Sequence, residues 1–171
     1  MLFDNLWRKL FKQGLPADFT GVLEGEEAVL AHASVRGGGY LVATSLGLWL
    51  PGPRRVGWHL VSKATWSGNT LAVVEAEEDG AAGDAVLLRD LPAQRFVLEE
   101  PGKVPEVVHT RVTASFKSKH HIGAAWYLQR KVPGRGGVVL QVRPDPEADL
   151  AAVRDIAAGV AAKIKNLKPS E

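Results

Sequence analysis

The sequence predicts a mainly β fold flanked by helices, and three patterns along the chain point to it. Apolar residues recur every three or four positions at both ends, which is typical of amphipathic helices. From Glu27 to about Glu100 the apolar period changes to two, as in strands. Turns that contain glycine or proline separate the short β-branched and aromatic runs of this region. The runs predict seven antiparallel strands, arranged as a meander that curls into a barrel or a sandwich, at 27–35, 40–50, 54–59, 61–67, 70–77, 84–89 and 94–99.

The first segment, residues 1–15, is predicted to be an amphipathic helix. Its apolar side chains fall on one face and its charged and amide side chains on the other, and Gly14 and Pro16 end it. Because a helix this short is marginal alone in water, its apolar face is expected to contact its own chain, a second copy, a partner protein or a membrane surface. The predicted contact residues are Leu2, Phe3, Leu6, Trp7, Leu10 and Phe11.

The remaining residues, 16–171, are predicted to form a single domain. The stretch 104–119 fits both periodicities, and a helix over 105–119 is favoured because Pro105 suits a first helical turn. A hairpin with strands at 122–132 and 138–143 should follow. A C-terminal helix should then begin with Asp145 as its N-cap. Its buried stripe is expected to contain Leu150, Val153, Ala157, Val160, Ile164 and Leu167.

Composition narrows the class of protein. Hydrophobic residues make up 46% and charged residues 23%, which is ordinary for a globular domain. The absence of cysteine excludes a disulfide framework, thiol redox chemistry and cysteine-ligated metals. No apolar run approaches the ~20 residues of a membrane span, and no uninterrupted signal-peptide core is present. These features predict a cytoplasmic protein, with peripheral contact at the inner face of the membrane as an option.

Charge is distributed unevenly along the chain. Residues 71–100 contain eight acidic and two basic side chains, a net of −6, whereas residues 101–143 contain eight basic and one acidic, a net of +7. The favoured interpretation is that the two stretches pack side by side and neutralise each other. The alternative is a basic face that binds a partner.

Three stretches carry a family resemblance. They read GEEAVLAHA at 25–33, GYLVATSLGLWL at 39–50 and RVGWHLVSKATW at 55–66, which continues into LAV at 71–73. Together they resemble the opening strands of bacterial pleckstrin-homology-like (PH-like) proteins, which begin with a Gly-Glu strand, turn at a threonine and continue with strands that carry tryptophan. The resemblance covers residues 22–119. It implies a PH-like seven-stranded antiparallel barrel with a capping helix, to which the C-terminal hairpin and helix are additions.

The resemblance also bears on function. Families of this kind mostly bind partners or scaffold assemblies. Eukaryotic relatives that grip phosphoinositides use several lysines and arginines around the first hairpin loop. Here that loop is a glycine run with only Arg36 beside it. Headgroup binding by that route is therefore not expected.

Motifs of catalysis were not found in the sequence. It contains no nucleophile elbow, phosphate-binding loop, dinucleotide-binding glycine pattern or zinc-binding helix. The five histidines have no metal-ligand spacing. The adjacent carboxylates at 26–27, 77–79 and 99–100 fall at strand ends or in loops, where solvated charges are expected. No catalytic residue, metal, cofactor or small-molecule substrate is predicted.

The predicted function is therefore a non-catalytic binding or scaffold module, with a protein partner or self-association. The alternative is binding of nucleic acid or another anionic ligand by the basic hairpin region 111–143, and an enzyme without a linear motif ranks third. Nucleic acid is disfavoured because no sequence-reading module is recognisable. The three tryptophans Trp49, Trp58 and Trp66 are predicted to share a core, and Trp126 and Tyr127 could stack on bases. The candidate anion contacts are Lys117, Lys119, His120, Arg130, Lys131 and Arg135.

Overall fold

A computed structural model describes residues 14–166 and confirms a mainly β fold. The described part contains eleven strands, a short 3-10 helix (Trp58–Leu60) and two α-helices, α1 (Val104–Ser115) and α2 (Leu150–Lys165). Neither α-helix is long and apolar enough to cross a bilayer. The strands are β1 (Val29–Ser34), β2 (Tyr40–Thr44), β3 (Gly47–Leu50), β4 (Arg54–Gly57), β5 (Val61–Ser67), β6 (Thr70–Ala82), β7 (Ala85–Asp90), β8 (Gln94–Val97), β9 (Phe116–Ile122), β10 (Ala125–Val132) and β11 (Gly137–Pro144).

The first four strands form an antiparallel sheet in chain order. The single strand predicted at 40–50 is wrong, because the chain reverses at Thr44 and makes two strands, β2 and β3. The Thr44 hydroxyl accepts hydrogen bonds from the backbone N–H groups of Leu46 and Gly47, at 3.1 and 3.2 Å. A side chain that satisfies two turn amides stabilises a reversal that the apolar pattern conceals.

The second sheet has the order β5-β6-β7-β11-β10-β9, and β8 pairs with the first half of β6. The polar loop predicted at 77–84 is wrong, because β6 continues through it to Ala82. Its second half pairs with β7, with a register shift between Glu78 and Ala81. Gly83 adopts the φ of 60° that the tight turn into β7 requires.

The predicted C-terminal hairpin joins this second sheet. β11 pairs with β7 in parallel, with Gln141 opposite Val86 and Val142 opposite Leu87. One parallel pair therefore interrupts the antiparallel arrangement that was expected, and β9 adds a third strand to the predicted hairpin. The strands form two sheets, with the strong curl of a half-barrel.

The helix predicted at 105–119 is confirmed as a helix, and it ends earlier, at Ser115. Val104, Val108 and Val112 recur every fourth residue and are buried. From Phe116 the side chains alternate between half-buried and exposed positions, which is the strand periodicity of β9. The ambiguous stretch therefore contains both structures in succession.

Two hydrophobic cores result. The first is enclosed by β1–β6 and α1 and includes Leu41, Leu48, Trp58 and Val108. The second lies between α2 and the sheet of β7, β10 and β11, and includes Tyr127, Val142 and Ala157. The two cores are joined where β10 passes the 3-10 helix.

Helix α2 begins later than predicted. Its N-cap is Asp149, whose carboxylate accepts a hydrogen bond from the Ala152 amide at 3.2 Å, and the prediction of Asp145 is wrong. The Asp145 amide instead donates to the Ala124 carbonyl at 2.8 Å, and the Asp145 carbonyl accepts from the Ala148 amide at 3.1 Å in a turn that precedes the helix. Within the predicted stripe, Val153, Ala157 and Ile164 are buried, Val160 is partly buried and Leu150 is 51% exposed. Ala161 is buried as well, and Leu167 lies outside the described residues.

Glu27 corrects the expectation that the paired carboxylates are solvated. It is buried just before β1, on the face of the four-stranded sheet opposite the first core. Its carboxylate accepts hydrogen bonds from the Trp49 indole at 2.9 Å and from the Arg55 guanidinium at 2.8 Å. The Thr44 hydroxyl, at 2.6 Å, and the Glu24 amide, at 2.9 Å, also donate to it. The glutamate, threonine and tryptophan of the resembling stretches therefore meet in one buried network.

Candidate binding site

The candidate anion contacts do not lie on one surface. Lys117 and Lys119 are exposed on β9, and His120 is half-buried between them and the end of that strand. Lys131 is exposed at the end of β10, on the face of the sheet opposite Trp126, because it is five residues further along the same strand. Arg135 lies in the turn that follows.

Arg130 does not belong to the exposed set, because it is only 1% exposed. Its guanidinium donates to the carbonyls of Val61 at 2.8 Å and Trp58 at 2.9 Å, and its Nε donates to the Ser115 hydroxyl at 3.0 Å. The same group lies 3.9 Å from the centre of the Phe116 ring. Burial lowers the pKa of Arg130 to about 10, and the charge of Arg143 acts in the same direction. Arg130 lies between the two cores and hydrogen-bonds β10 to the 3-10 helix and to β5.

Neutralisation between the acidic and basic stretches is largely absent. Across residues 14–166 only one ion pair joins 71–100 to 101–143, between Arg143 and Asp90 at 3.7 Å. The carboxylates of residues 71–100 pair mainly with arginines and one lysine that lie outside 101–143. One of these arginines, Arg89, belongs to 71–100 itself. Lys117, Lys119, Lys131 and Arg135 have no ion pair within this part of the chain. The pairs of the acidic stretch are Arg36–Glu99, Arg54–Glu75, Arg89–Glu77, Arg154–Asp79 and Lys165–Asp84.

A half-open groove of about 490 Å³, here called the Trp126 groove, lies beside the basic strands. It is bordered by β5 and β6 on one side, β7, β10 and β11 beneath, and the start of α2 on the other side. Its apolar surface comes from Val74, Leu88, Trp126, Pro144 and Leu150. The volume falls within the ~300–1,000 Å³ typical of ligand sites.

Trp126 is half-buried at one end of the groove, and two polar side chains pack against it. The Lys119 ammonium lies 5.0 Å from the centre of the indole, and the His121 ring centre lies 4.8 Å away. His121 forms a 2.8 Å hydrogen bond with the Asp145 carboxylate. The indole is therefore held by β9 and by the segment before α2, while it still borders the groove.

The rim of the groove is charged. Arg143 lies 3.7 Å from Asp90, and Arg154 lies 3.7 Å from Asp79. These separations exceed those of a good charge-assisted hydrogen bond, about 2.7–2.9 Å. Asp90 also accepts a hydrogen bond from Ser62, at 2.5 Å. Lys63, on the same rim, has no ion pair within residues 14–166.

The other aromatic residues take structural positions. Trp58 lies in the first core, whereas Trp49 lies on the opposite face of the four-stranded sheet. There the Phe19 ring packs edge-on against Trp49, with 5.7 Å between the ring centres. The expectation of one shared tryptophan core is therefore wrong. Trp66 is 38% exposed. Tyr127 is fully buried in the second core and is not available for stacking on a base.

A second cavity, polar and of about 510 Å³, lies beside His59 and is bordered by Arg55, Glu78 and Arg135. Burial lowers the pKa of His59, and the positive charge of Arg130 adds to this effect. The Nδ1 atom of His59 has no hydrogen-bond partner among residues 14–166. In the same part of the chain, no three histidine, aspartate or glutamate side chains are grouped to hold a metal ion.

The predicted contacts Leu2, Phe3, Leu6, Trp7, Leu10 and Phe11 lie outside the described residues. The groove residues Lys63, Leu88 and Leu150 were not anticipated from sequence. The sequence signal that could have located the groove is Trp126, which lies inside a basic stretch.

Comparison with family models, curated proteins and solved structures found no match to this chain.

Proposed function

We propose that the chain is a non-catalytic binding module of PH-like plan that holds an extended segment of a partner protein in the Trp126 groove. The observation that carries the proposal is the apolar surface of this groove, which residues 14–166 leave open to solvent. Leu150, 51% exposed, and the indole of Trp126 stand at its edges. Exposed apolar surface rimmed by polar side chains is typical of interaction sites.

The arrangement of the first core supports the PH-like plan. Four strands, β1 to β4, face β5, β6 and β8, of which β6 pairs with both of the others, and α1 packs against both groups. Counted without β7, which lies between β6 and β8 in the chain, these seven strands and the helix correspond to the plan that the resemblance implies. The second half of β6, with β7, β9 to β11 and α2, adds to this plan. The Trp126 groove is formed largely by these additions.

The charged rim supports a protein partner. Solvated charges around an apolar floor steer a partner and fix its orientation more than they contribute affinity. Loosely spaced pairs such as Arg143–Asp90 can exchange their contacts for those of a bound segment. A segment in extended conformation would place alternate side chains on the floor and the rim.

Selection from a random peptide library displayed on phage tests the proposal. Peptides that bind the wild-type protein should lose at least about tenfold in affinity for Leu150→Glu, which places a charge at the groove edge. Ile156→Glu is the matched control, since Ile156 is 53% exposed on the same helix and does not border the groove. Failure to enrich any peptide, or equal loss with both variants, would overturn the proposed function.

A further inference from the structure

We infer that the segment bound in the Trp126 groove is acidic and aromatic: an aromatic side chain packs against Trp126, and flanking carboxylates meet Lys63, Lys119 and Arg143. This inference rests on the proposed function and specifies the chemistry of its ligand. It follows from which charges around the indole already have partners and which do not.

Two cations lie beside the indole, and a third borders the same groove. The Lys119 ammonium lies 5.0 Å from the ring centre. Arg143 is directly opposite Trp126 in the β10–β11 register, so both side chains project from the same face of the sheet. Lys63 borders the same groove from β5. Neither lysine has an ion pair within residues 14–166, and Arg143 has only the 3.7 Å contact with Asp90.

The carboxylates at this end of the groove are already engaged. Asp145 bonds His121 at 2.8 Å, and Asp90 accepts from Ser62 at 2.5 Å. Further along the rim, Arg154 and Asp79 face each other. The residues that border the groove include four cations and three carboxylates, and Lys119 adds a further cation beside the indole, so the net charge is positive and a bound segment complements it with negative groups.

The indole specifies the second feature of the ligand. Trp126 is half-buried beside Leu88 and Pro144, and the part of its indole that Lys119 and His121 do not cover is a flat apolar surface. Aromatic rings pack on such a surface in offset or edge-on geometry and gain about 0.5–1.5 kcal/mol beyond the area they bury. An aliphatic side chain would bury area without this contribution.

The arrangement favours a peptide over a nucleic-acid strand. Successive bases need successive stacking platforms and a continuous basic track. Tyr127 is fully buried, so among residues 14–166 Trp126 is the single aromatic side chain that borders this groove. Lys131 projects from the other face of the sheet, and Arg135 borders the separate cavity beside His59.

Titration of the 15N-labelled protein with short capped peptides tests the inference. The probe alternates glutamate and phenylalanine over five positions. One comparison peptide has glutamine for glutamate, and another has alanine for phenylalanine. The readout is the indole N–H cross-peak of Trp126, assigned as the peak lost in Trp126→Phe. The acidic aromatic peptide should shift this peak, and each comparison peptide should bind at least about tenfold more weakly.

Variants localise the charge preference. Lys63→Gln and Arg143→Gln should each weaken the acidic peptide about three- to tenfold, with little effect on the glutamine peptide. Lys131→Gln is the matched control and should leave binding unchanged, because Lys131 is exposed on the other face of the sheet. Rising salt should weaken the acidic peptide alone.

The outcomes separate the two proposals. If the glutamine peptide binds as tightly as the acidic one and Leu150→Glu abolishes both, the groove binds peptides and the acidic preference is wrong. If library peptides bind the groove but the acidic aromatic peptide does not, the inferred chemistry is also wrong. If oligothymidylate moves the Trp126 peak at lower concentration than the peptide, the ligand class is wrong. If neither the library nor the probe peptides bind, the proposed function itself fails.

Discussion

Glu27 in the four-stranded region and Arg130 in the seven-stranded region are both buried charges, but their surroundings differ. Glu27 faces an opposite charge, Arg55 at 2.8 Å, together with an indole, a hydroxyl and an amide donor. Arg130 faces two carbonyls and a hydroxyl and, within residues 14–166, no carboxylate. A buried charge without a counter-charge keeps a large desolvation penalty, and burial lowers the pKa of Arg130 to about 10.

The difference shows two ways in which this chain organises its interior. The Glu27 network joins residues that are at most 31 positions apart, across three consecutive strands and the segment before β1. Arg130 reaches the carbonyls of Val61 and Trp58, which are 69 and 72 positions away. The first arrangement organises one sheet, and the second fixes two cores against each other. We expect the first to contribute more to stability and the second to the relative position of the cores.

The largest effect is expected from Glu27→Ala. The substitution removes one of the two counter-charges of Arg55 and leaves the Trp49 indole without its acceptor, while the Thr44 hydroxyl keeps only the Gly47 carbonyl, at 3.2 Å. Breaking a buried ion pair from one side typically costs about 3–5 kcal/mol. Because Arg55 is 26% exposed and keeps its bond to Glu24, the lower part of that range is expected. Denaturant unfolding measures the change.

Glu26→Ala provides the control for this prediction, since Glu26 is the exposed neighbour of Glu27. It should change the free energy of unfolding by less than about 0.5 kcal/mol. A loss below about 1 kcal/mol for Glu27→Ala would mean that the network contributes little to the fold.

A smaller loss is expected from Arg130→Met. Methionine keeps much of the apolar stem but removes the donor to the Val61 carbonyl, at about 1–3 kcal/mol for a group left unsatisfied, whereas the Trp58 carbonyl still accepts from the Val61 amide. Removal of an uncompensated buried charge offsets part of this cost. A net loss of about 1–3 kcal/mol should therefore appear in denaturant unfolding.

Lys131→Met is the matched control because Lys131 is the exposed neighbour on β10. If Arg130→Met destabilised the protein more than Glu27→Ala, the proposed ranking of the two buried charges would be reversed. If Arg130→Met unfolded in two separate transitions, that would show directly that Arg130 couples the cores.

Sequence reasoning reached the β-rich fold and the helix over 104–115 because periodicity reports local structure. Val104, Val108 and Val112 identify that helix without any knowledge of their partners. The split at Thr44 was missed because its cause is a side chain bonding its own turn, inside an uninterrupted apolar run. The extension of β6 was missed for a related reason: its polar residues, such as Glu78, pair through backbone groups with β7, and pairing is not visible in polarity.

The site was less predictable than the fold. Arg130 looks like Lys131 in the sequence, and only the folded chain distinguishes a buried guanidinium from an exposed ammonium. Trp126 was noted inside a basic stretch, whereas Lys63 and Leu150 reach the groove from β5 and α2. Contacts between elements so far apart in the chain depend on sheet order, which a single sequence does not specify. The parallel pairing of β11 with β7 is the step that brings them together.

The pH dependence of stability tests the environment of Arg130 through His59. Burial lowers the pKa of His59 below its ordinary 6.5, and the charge of Arg130 contributes to the shift. Below pH 6.5 the unfolded state therefore binds more protons than the folded state, so this group makes stability fall as the pH falls from there through the folded pKa. His59→Gln should reduce the loss of unfolding free energy between about pH 7.5 and about pH 5.5.

His109→Gln serves as the control, because His109 is exposed on α1. The slope of stability against pH should be shallower in His59→Gln than in this control. An identical slope in the wild type and in His59→Gln would contradict the depressed pKa. A shallower slope in the double variant Arg130→Met, His59→Gln than in Arg130→Met alone would show that burial, without the arginine, suffices.

The smallest effect is expected from Tyr127→Phe, and it has the opposite sign. Tyr127 is fully buried in the second core, and its hydroxyl has no hydrogen-bond partner among residues 14–166. Burial raises the pKa of this phenol, as expected where the charged form is poorly solvated. Phenylalanine fills the same space and removes a desolvated polar atom, so the free energy of unfolding should stay constant or rise by up to about 1 kcal/mol.

Tyr40→Phe is the control, since the Tyr40 hydroxyl donates to Asp18 at 2.6 Å and its loss should not stabilise the protein. A loss of more than about 1 kcal/mol in Tyr127→Phe would show that the hydroxyl has a bound partner, such as an ordered water. The seven-stranded region would then hold the Tyr127 hydroxyl by hydrogen bonding, as the four-stranded region holds Glu27, and the two regions would differ in Arg130 alone.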